Sequence, residues 1–196
     1  MRSETAMYLF FDTETTGIPL NRKALLSDSR NWPRVVQLAW LMQDEQGNEL
    51  GFGASIVKPL GFTIPSDAAH IHGITTEKAA WEGRPLDEVM AEFSSQVSGA
   101  DILVAHNMDF DEKVIGAELF RLGMANAIKD KKRLCTMWSS MRFCAIPGSF
   151  GGYKWPKLDE LHRKLFGQGF SGAHDAVSDM RATAKCFREL RRRGVV

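Results

Sequence analysis

Apolar residues run unbroken from Met7 to Phe11, and again from Val35 to Met42 with a single polar interruption at Gln37. Runs this short, bounded by polar and turn-forming residues, read as strands in the core of a sheet. Between them lies a polar excursion from Ile18 to Pro33, punctuated by Pro19 and by Trp32-Pro33. Turn residues at Asp44–Asn48 lead into a third strand, Gly51 to Lys58, so a meander is expected. Helical spacing follows over Thr75–Trp81 and Pro85–Val97, the latter with Pro in its first turn and Leu86, Val89, Met90, Phe93 and Val97 on one face.

The second half alternates. Ile102–Ala105 reads as a short buried strand, and a helix runs from just after His106-Asn107 to about Leu122, where Gly123 stops it. Arg133–Met137 reads as a fifth strand, Leu158–Phe166 as a helix ending at Gly167, and the last helix begins near Ala173. Its apolar side is Ala176, Val177, Met180, Ala184, Phe187 and Leu190. Strands first and helices later, with two strand–helix alternations, predict an α/β fold with a mixed sheet flanked by helices. The 196 residues suit a single domain, with its core over about 7–190, and no linker-like stretch divides them.

Composition narrows the class. No apolar run approaches the roughly 18–20 residues that cross a bilayer. Met1–Thr5 lead straight into a strand with no secretory signal, and Cys135, Cys144 and Cys186 are odd in number without CxxC spacing. A cytoplasmic protein with free thiols, away from membranes, is the expectation. Net charge is only +1, yet residues 1–127 hold 10 basic against 18 acidic side chains and residues 128–196 hold 15 against 6. An acidic body beside a basic final third can hold cations at one place and a polyanion at another.

Three stretches carry chemistry. In Phe11-Asp12-Thr13-Glu14-Thr15-Thr16-Gly17, strand alternation points Asp12 and Glu14 the same way. Two such carboxylates about 4 Å apart repel by about 4 kcal/mol at an effective dielectric near 20, which a divalent cation between them relieves. In His106-Asn107-Met108-Asp109-Phe110-Asp111, helix capping explains one acid, and spacing does not say which of Asp109 and Asp111 does chemistry. In His174-Asp175-Ala176-Val177-Ser178-Asp179, Asp175 and Asp179 share a helix face. His174 reaches Asp179 only from a loop ahead of that helix. His70 and His72 lack a third zinc ligand nearby, Gln37 and Trp40 read as sheet residues, and Trp81, Trp138 and Trp155 have no assignable function.

The ordered set is more specific than its parts. Phe-Asp-x-Glu, then Asn-x-x-Phe-Asp, then His-x-x-x-x-Asp resembles the DEDD-h, or DnaQ-like, 3′→5′ exonucleases, among them the proofreading epsilon subunits. His72-Gly73-Ile74-Thr75 and Leu158-Asp159-Glu160-Leu161 add to the likeness, which spans Tyr8 to Leu190. The resemblance implies a ribonuclease H-like fold with a central five-stranded mixed sheet. It implies catalytic acids at Asp12, Glu14, Asp111 and Asp179 with His174 as general base, and so resolves both ambiguities. It further implies two divalent cations held by the four acids. Oxygen-only ligands favour Mg²⁺ or Mn²⁺. Asp12 would bridge both ions and Asp111 would hold a ligand water or an ion directly.

Paired ions of this kind neutralise the scissile phosphate, activate water and stabilise the leaving oxygen. A histidine, ordinarily titrating near pH 6.5, suits proton removal there. The terminal-nucleotide pocket implied by the family falls on Thr15, Thr16, Gly17, Asp67, Ile71, His72, Asn107 and Phe110, with core packing the alternative for Ile71 and Phe110. The expected partner is single-stranded nucleic acid with a free 3′ end, DNA before RNA, in the setting of a polymerase or repair partner. Lys129–Arg133 is expected to help hold the strand. A non-catalytic binding subunit is the rival from another class, opposed by retention of all five catalytic positions. The long excursion between Gly17 and Val35 departs from many relatives.

Overall fold

The computed structural model describes residues 6–196; the reading of Met1–Thr5 as free of a secretory signal lies outside the described residues. Five strands form one sheet in the order β3-β2-β1-β4-β5. β1 (Tyr8–Thr15), β2 (Val35–Gln43) and β3 (Glu49–Ile56) make the antiparallel meander, while β4 (Ile102–Ala105) and β5 (Lys132–Cys135) join parallel to β1. The five-stranded mixed sheet flanked by helices is the ribonuclease H-like arrangement anticipated from the sequence.

Side-chain parity along β1 decides what faces what. Leu9 and Phe11 enter the core beneath α3 (Leu86–Gly99) and α4 (Met108–Arg121), where Phe93 packs its ring 5.5 Å from Phe11 and 5.8 Å from Trp40. Tyr8 and Phe10 enter the opposite core, against Ala176, Met180, Ala184 and Phe187 of α7 (Ala176–Arg192). Because side chains alternate, the even-numbered acids Asp12 and Glu14 continue the α7 side and Thr13 continues the α4 side. β4 pairs with β1 only as far as Phe10, which leaves the far end of β1 open for the first turn of α4.

Two helices were not legible in the apolar pattern. α1 (Ser66–His72) has a single buried residue, Ala68, and α5 (Thr136–Cys144) buries only Thr136, Ser140 and Cys144. The expected strand over Arg133–Met137 starts one residue earlier and stops at Cys135, where α5 takes over. The remaining helices, α2 (Thr76–Glu82) and α6 (Leu158–Phe166), lie where spacing put them. No helix among the described residues is long and apolar enough to cross a membrane, and Cys135, Cys144 and Cys186 are unpaired.

The excursion of residues 18–34 is tied down at its far end, where Asn31, Trp32 and Pro33 are buried. Trp32 is buried in the main core and its Nε1 donates to the Leu25 carbonyl. Fully buried Glu118 of α4 accepts from Arg34 Nε at 2.9 Å and from the Val35 amide, and pairs with Arg121 at 3.1 Å. Arg121 in turn donates to the carbonyls of Ser29 and Trp32. One buried carboxylate thus ties the end of the excursion to the helix that carries Asp111.

The shared ring cluster gives a direct check on this arrangement. Phe93→Ala is expected to lose about 3–5 kcal/mol of unfolding free energy, read from urea denaturation, and a loss under about 1 kcal/mol would mean that β1 and β2 are not clamped through this ring.

Candidate active site

The open end of β1 collects acids from three chain segments. One carboxylate oxygen each from Asp12, Glu14 and Asp179 lie within 4.8 Å of one another. Asp12 and Glu14 arrive by strand parity, and Asp179 arrives from the first turn of α7. Asp111 stands beside this trio rather than in it. Its Oδ1 accepts from the Thr13 hydroxyl at 2.8 Å and from the Thr13 amide at 3.1 Å. Thr13 therefore takes up, on the α4 side of β1, the acid that closes the cluster. That role was invisible in the sequence, where Thr13 is only the residue between two acids.

Every acid in the group is held against ionisation. Burial raises the Glu14 carboxyl to about 8, helped by the charges of Asp179 and Asp111. Burial raises Asp179 to about 6 against the opposing His174 backbone amide. Asp111 rises to about 7 through burial, against the two Thr13 hydrogen bonds. Asp12 is raised well above the usual carboxylate range, by burial first and then by repulsion from Asp111, Asp179 and Glu14. None of the four has an ion-pair partner among the described residues, and Asp179 Oδ1 is buried without any hydrogen-bond partner. Clustered, unpaired, oxygen-only ligands with an orphaned oxygen fit a hard divalent cation. Asp12, Glu14 and Asp179 are the residues that would hold it.

The third motif is set by a turn and a strand. Gly172, at φ 78°, takes the chain into the turn, and a Cβ there would meet Ser178 Oγ at 2.6 Å. His174 follows with φ 68°, exposed, just ahead of the Asp175 N-cap, so it does lie in a loop before the helix. Its backbone amide donates weakly to Asp179 Oδ2 at 3.4 Å. Asp175 is spent on capping: its side chain accepts from the Ser178 amide and hydroxyl, and from Gln37 Nε2 at 2.9 Å. Gln37 also accepts from the Ala176 amide at 3.0 Å. The residue read as an ordinary sheet position thus fastens the start of α7 to β2. Its signal was present: it is the one polar side chain interrupting the apolar run Val35–Met42, on the face of Ala39 and Leu41 that meets α7.

Beside the acids is a cleft of about 360 Å³ lined by Glu14, Thr15, Gly17, Ile18, Asp67, Ile71, His72 and Phe110. Ile71 is 58% exposed, so it is not a core residue, whereas half-buried Phe110 does pack on the main core. Thr15 Oγ1 donates to the Gly17 carbonyl and shapes the turn, with Gly17 at φ 144°. His72 is lowered by burial, opposed by the Thr15 backbone and assisted by the charge of His174; its Nδ1 accepts from the Ile74 amide. Two expected pocket residues stand apart. Thr16 is occupied with Arg34, and Asn107, at φ 77°, opens onto a separate cleft on the other side of the α4 N-terminus. Of the basic stretch Lys129–Arg133, Lys131 and exposed Arg133 are engaged by backbone carbonyls, and Arg133 also by Glu112.

A protein-family model described as exonuclease, of the RNase T type, matches residues 9–187. The chain belongs to this exonuclease family. It is 28% identical over 185 residues to an uncharacterised exonuclease, CP81, of Escherichia phage 186, covering 89% of this chain and 83% of that protein. It is 29% identical over 187 residues to the DNA polymerase III subunit epsilon of Treponema pallidum, covering 94% and 76%. Against the PolC-type DNA polymerase III of Listeria innocua, 29% identity covers 92% of this chain but 11% of the polymerase. Escherichia coli exonuclease I, solved with a dT13 oligonucleotide, superposes with a TM-score of 0.75 at 22% identity over 95% of this chain and 41% of its own. That likeness is one of fold. The DnaQ-like resemblance and the enzyme class read from the motifs are borne out, and the family's chemistry is divalent-metal dependent.

The raised acids set a pH dependence with a definite sign. A carboxyl that is harder to ionise in the folded protein is fully accommodated below its unfolded value near 4, and destabilises as pH rises through its folded value. Metal-free protein should therefore lose melting temperature from about pH 4 to about pH 8, the loss ending in turn at the folded values of Asp179 at about 6, Asp111 at about 7 and Glu14 at about 8. Asp12→Asn should melt higher than wild type at the upper end. An equal or lower melting point for Asp12→Asn in chelator would mean the acids do not strain the fold.

Proposed function

We propose that residues 7–190 act as one 3′→5′ exonuclease unit that releases nucleoside 5′-monophosphates from single-stranded or frayed DNA, working in the cytoplasm with a polymerase or repair partner. The observation that carries this reading is the trio of carboxylate oxygens beside a cleft of about 360 Å³ that Glu14 itself lines. When bound, two Mg²⁺ or Mn²⁺ ions supply charge neutralisation at the phosphate and activation of the attacking water. Asp12, Glu14 and Asp179 hold that charge in place, with Asp111 kept beside them by Thr13.

The protein's own residues do the rest. His174, exposed on its strained turn, swings its imidazole to the attacking water and takes the proton. A non-glycine residue at positive φ is a local cost that functional sites tolerate. Ile71 and Phe110 flank the terminal base, the Thr15–Gly17 turn follows the sugar and phosphate, and Asp67 faces the terminal hydroxyl. A terminal nucleotide seated in this cleft beside the acids accounts for exonuclease rather than endonuclease action. The unpaired cysteines support a reducing compartment. DNA is favoured by the epsilon subunit and PolC relatives; an RNA-trimming role with the same chemistry is the second reading, decided by whether the cleft admits a 2′ hydroxyl.

A 5′-labelled single strand should shorten in a ladder from its 3′ end with Mg²⁺ or Mn²⁺ and stay intact in EDTA. A circular strand should survive, and Asp12→Ala should lose at least about a hundredfold. Cleavage of the circle would remove the end-binding argument, and parallel DNA and RNA strands decide the sugar preference.

His174 and Asp179 should part company. His174→Ala is expected to lose about 10²–10⁴-fold in kcat, the range of a general base, with metal binding by calorimetry near normal, while Asp179→Ala loses both. Collapse of metal affinity in His174→Ala would make it a ligand instead of a base.

A further inference from the structure

The cleft onto which Asn107 opens, about 390 Å³ in volume, is walled by Met108 at the N-terminus of α4, by Arg22 and Arg133, and by two tryptophans. Trp138, in the first turn of α5, is 57% exposed, and Trp155, just before α6, is 49% exposed; their ring centroids are 5.1 Å apart at 36°. Exposing two indoles side by side is costly in water, so the pair is a surface waiting to be covered.

Its placement is fixed by a half-buried histidine. Pro156 O can only accept, so His106 Nε2 carries the proton and donates to it at 3.0 Å, leaving Nδ1 to accept from the Thr136 hydroxyl at 2.9 Å. His106 therefore binds the residue after Trp155 and the first residue of α5, and it directly precedes Asn107 and the turn bearing Phe110 and Asp111. The terminal-nucleotide cleft lies on the Phe110 side of that turn and the tryptophan cleft on its Asn107 side.

The charge around the indoles suits a polyanion. The acids lining the cleft are already neutralised, Asp109 by Lys113 at 2.7 Å and Glu112 by Arg133 at 2.8 Å. Arg22 lines the same cleft with no ion-pair partner among the described residues. Trp155 also closes a small hairpin, in which Lys154 N donates to the Ile146 carbonyl and Gly148 N to the Gly152 carbonyl, with Phe150 wholly exposed at its tip.

From this juxtaposition we infer that Trp138 and Trp155 form a stacking platform for a base of the single-stranded substrate upstream of the end being hydrolysed, with Arg22 facing its phosphate. Stacked aromatics with nearby cations bind single strands without regard to sequence. The inference rests on the exonuclease reading for its ligand, but it concerns a site that the chemistry does not use.

The test separates the two. Fluorescein-labelled oligo-dT, in EDTA, is titrated with wild-type protein, Trp138→Ala, Trp155→Ala and the Trp→Phe forms, following anisotropy. Each alanine variant should lose about 5- to 150-fold in affinity for a strand of about twelve nucleotides, and the phenylalanine forms should retain most of it. A strand with internal abasic sites should bind wild-type protein as weakly as the intact strand binds the alanine variants, which needs no mutant to fold. Hydrolysis of the p-nitrophenyl ester of thymidine 5′-monophosphate, too small to reach the platform, should be unchanged in the alanine variants. Equal affinities for intact and abasic strands, or alanine variants that bind like wild type, would overturn the platform even if the ester is cleaved. Failure of wild-type protein to cleave either ester or strand would sink the exonuclease reading while the binding series still judges the platform.

Discussion

Burial of four clustered acids, Asp12, Glu14, Asp111 and Asp179, with their mutual repulsion added to it, is the cost against which this protein is assembled. Carboxylates gathered in a partly dry pocket, with no ion-pair partner among the described residues, resist both burial and each other. What holds them is the apolar packing on the two faces of β1 and a few directed hydrogen bonds: Thr13 to Asp111, and Gln37 to the first residues of α7. The site is therefore preformed at the expense of stability, and a cation entering it meets ligands that need little rearrangement.

The same economy extends to the surroundings. Glu118 is fully buried, yet it is satisfied by two arginines and a backbone amide, so it anchors where the acidic cluster strains. His106 behaves similarly on the other side of α4. Burial drops its imidazole to about 4, so it stays neutral and bonds through both nitrogens at any physiological pH. The helix carrying Asp111 is thereby fixed to the excursion at one end and to the tryptophan segment at the other.

Much of this was legible in the sequence because period and parity carry physical meaning. β1, β2, β4, α3, α4, α6 and α7 each bury a stripe or a run, and burial is what a hydrophobic pattern encodes. α1 and α5 escaped because Ser66–His72 and Thr136–Cys144 bury almost nothing apolar, and Leu134–Met137 looks as much like a strand as like the end of one. Among the site residues, Asp12 and Glu14 follow from alternation alone. Spacing could not choose between Asp109 and Asp111 or between Asp175 and Asp179. The geometry separates them by occupation: Asp109 pairs with Lys113 at the surface and Asp175 caps α7. Thr13 and Gln37 were missed because positioning through a hydrogen bond leaves no pattern beyond one polar residue in an apolar strand. Trp32, buried under an otherwise polar excursion, was hidden by its neighbours.

The alternation in β1 has a consequence for how such a chain can change its length. Inserting or deleting one residue between Tyr8 and Glu14 would turn every later side chain to the opposite face. The acids would then point into the hydrocarbon beneath α4, and Thr13 would sit where the ligands belong. No single substitution could repair that, since core and site would be wrong together. The segment just beyond β1 is under no such rule: residues 18–34 are held by Glu118, Arg34 and Arg121 near one end, while Ile18, Leu20 and Leu25 stand in solvent. A change of length in that segment, whose first residue Ile18 lines the cleft, would alter what can enter without disturbing the acids.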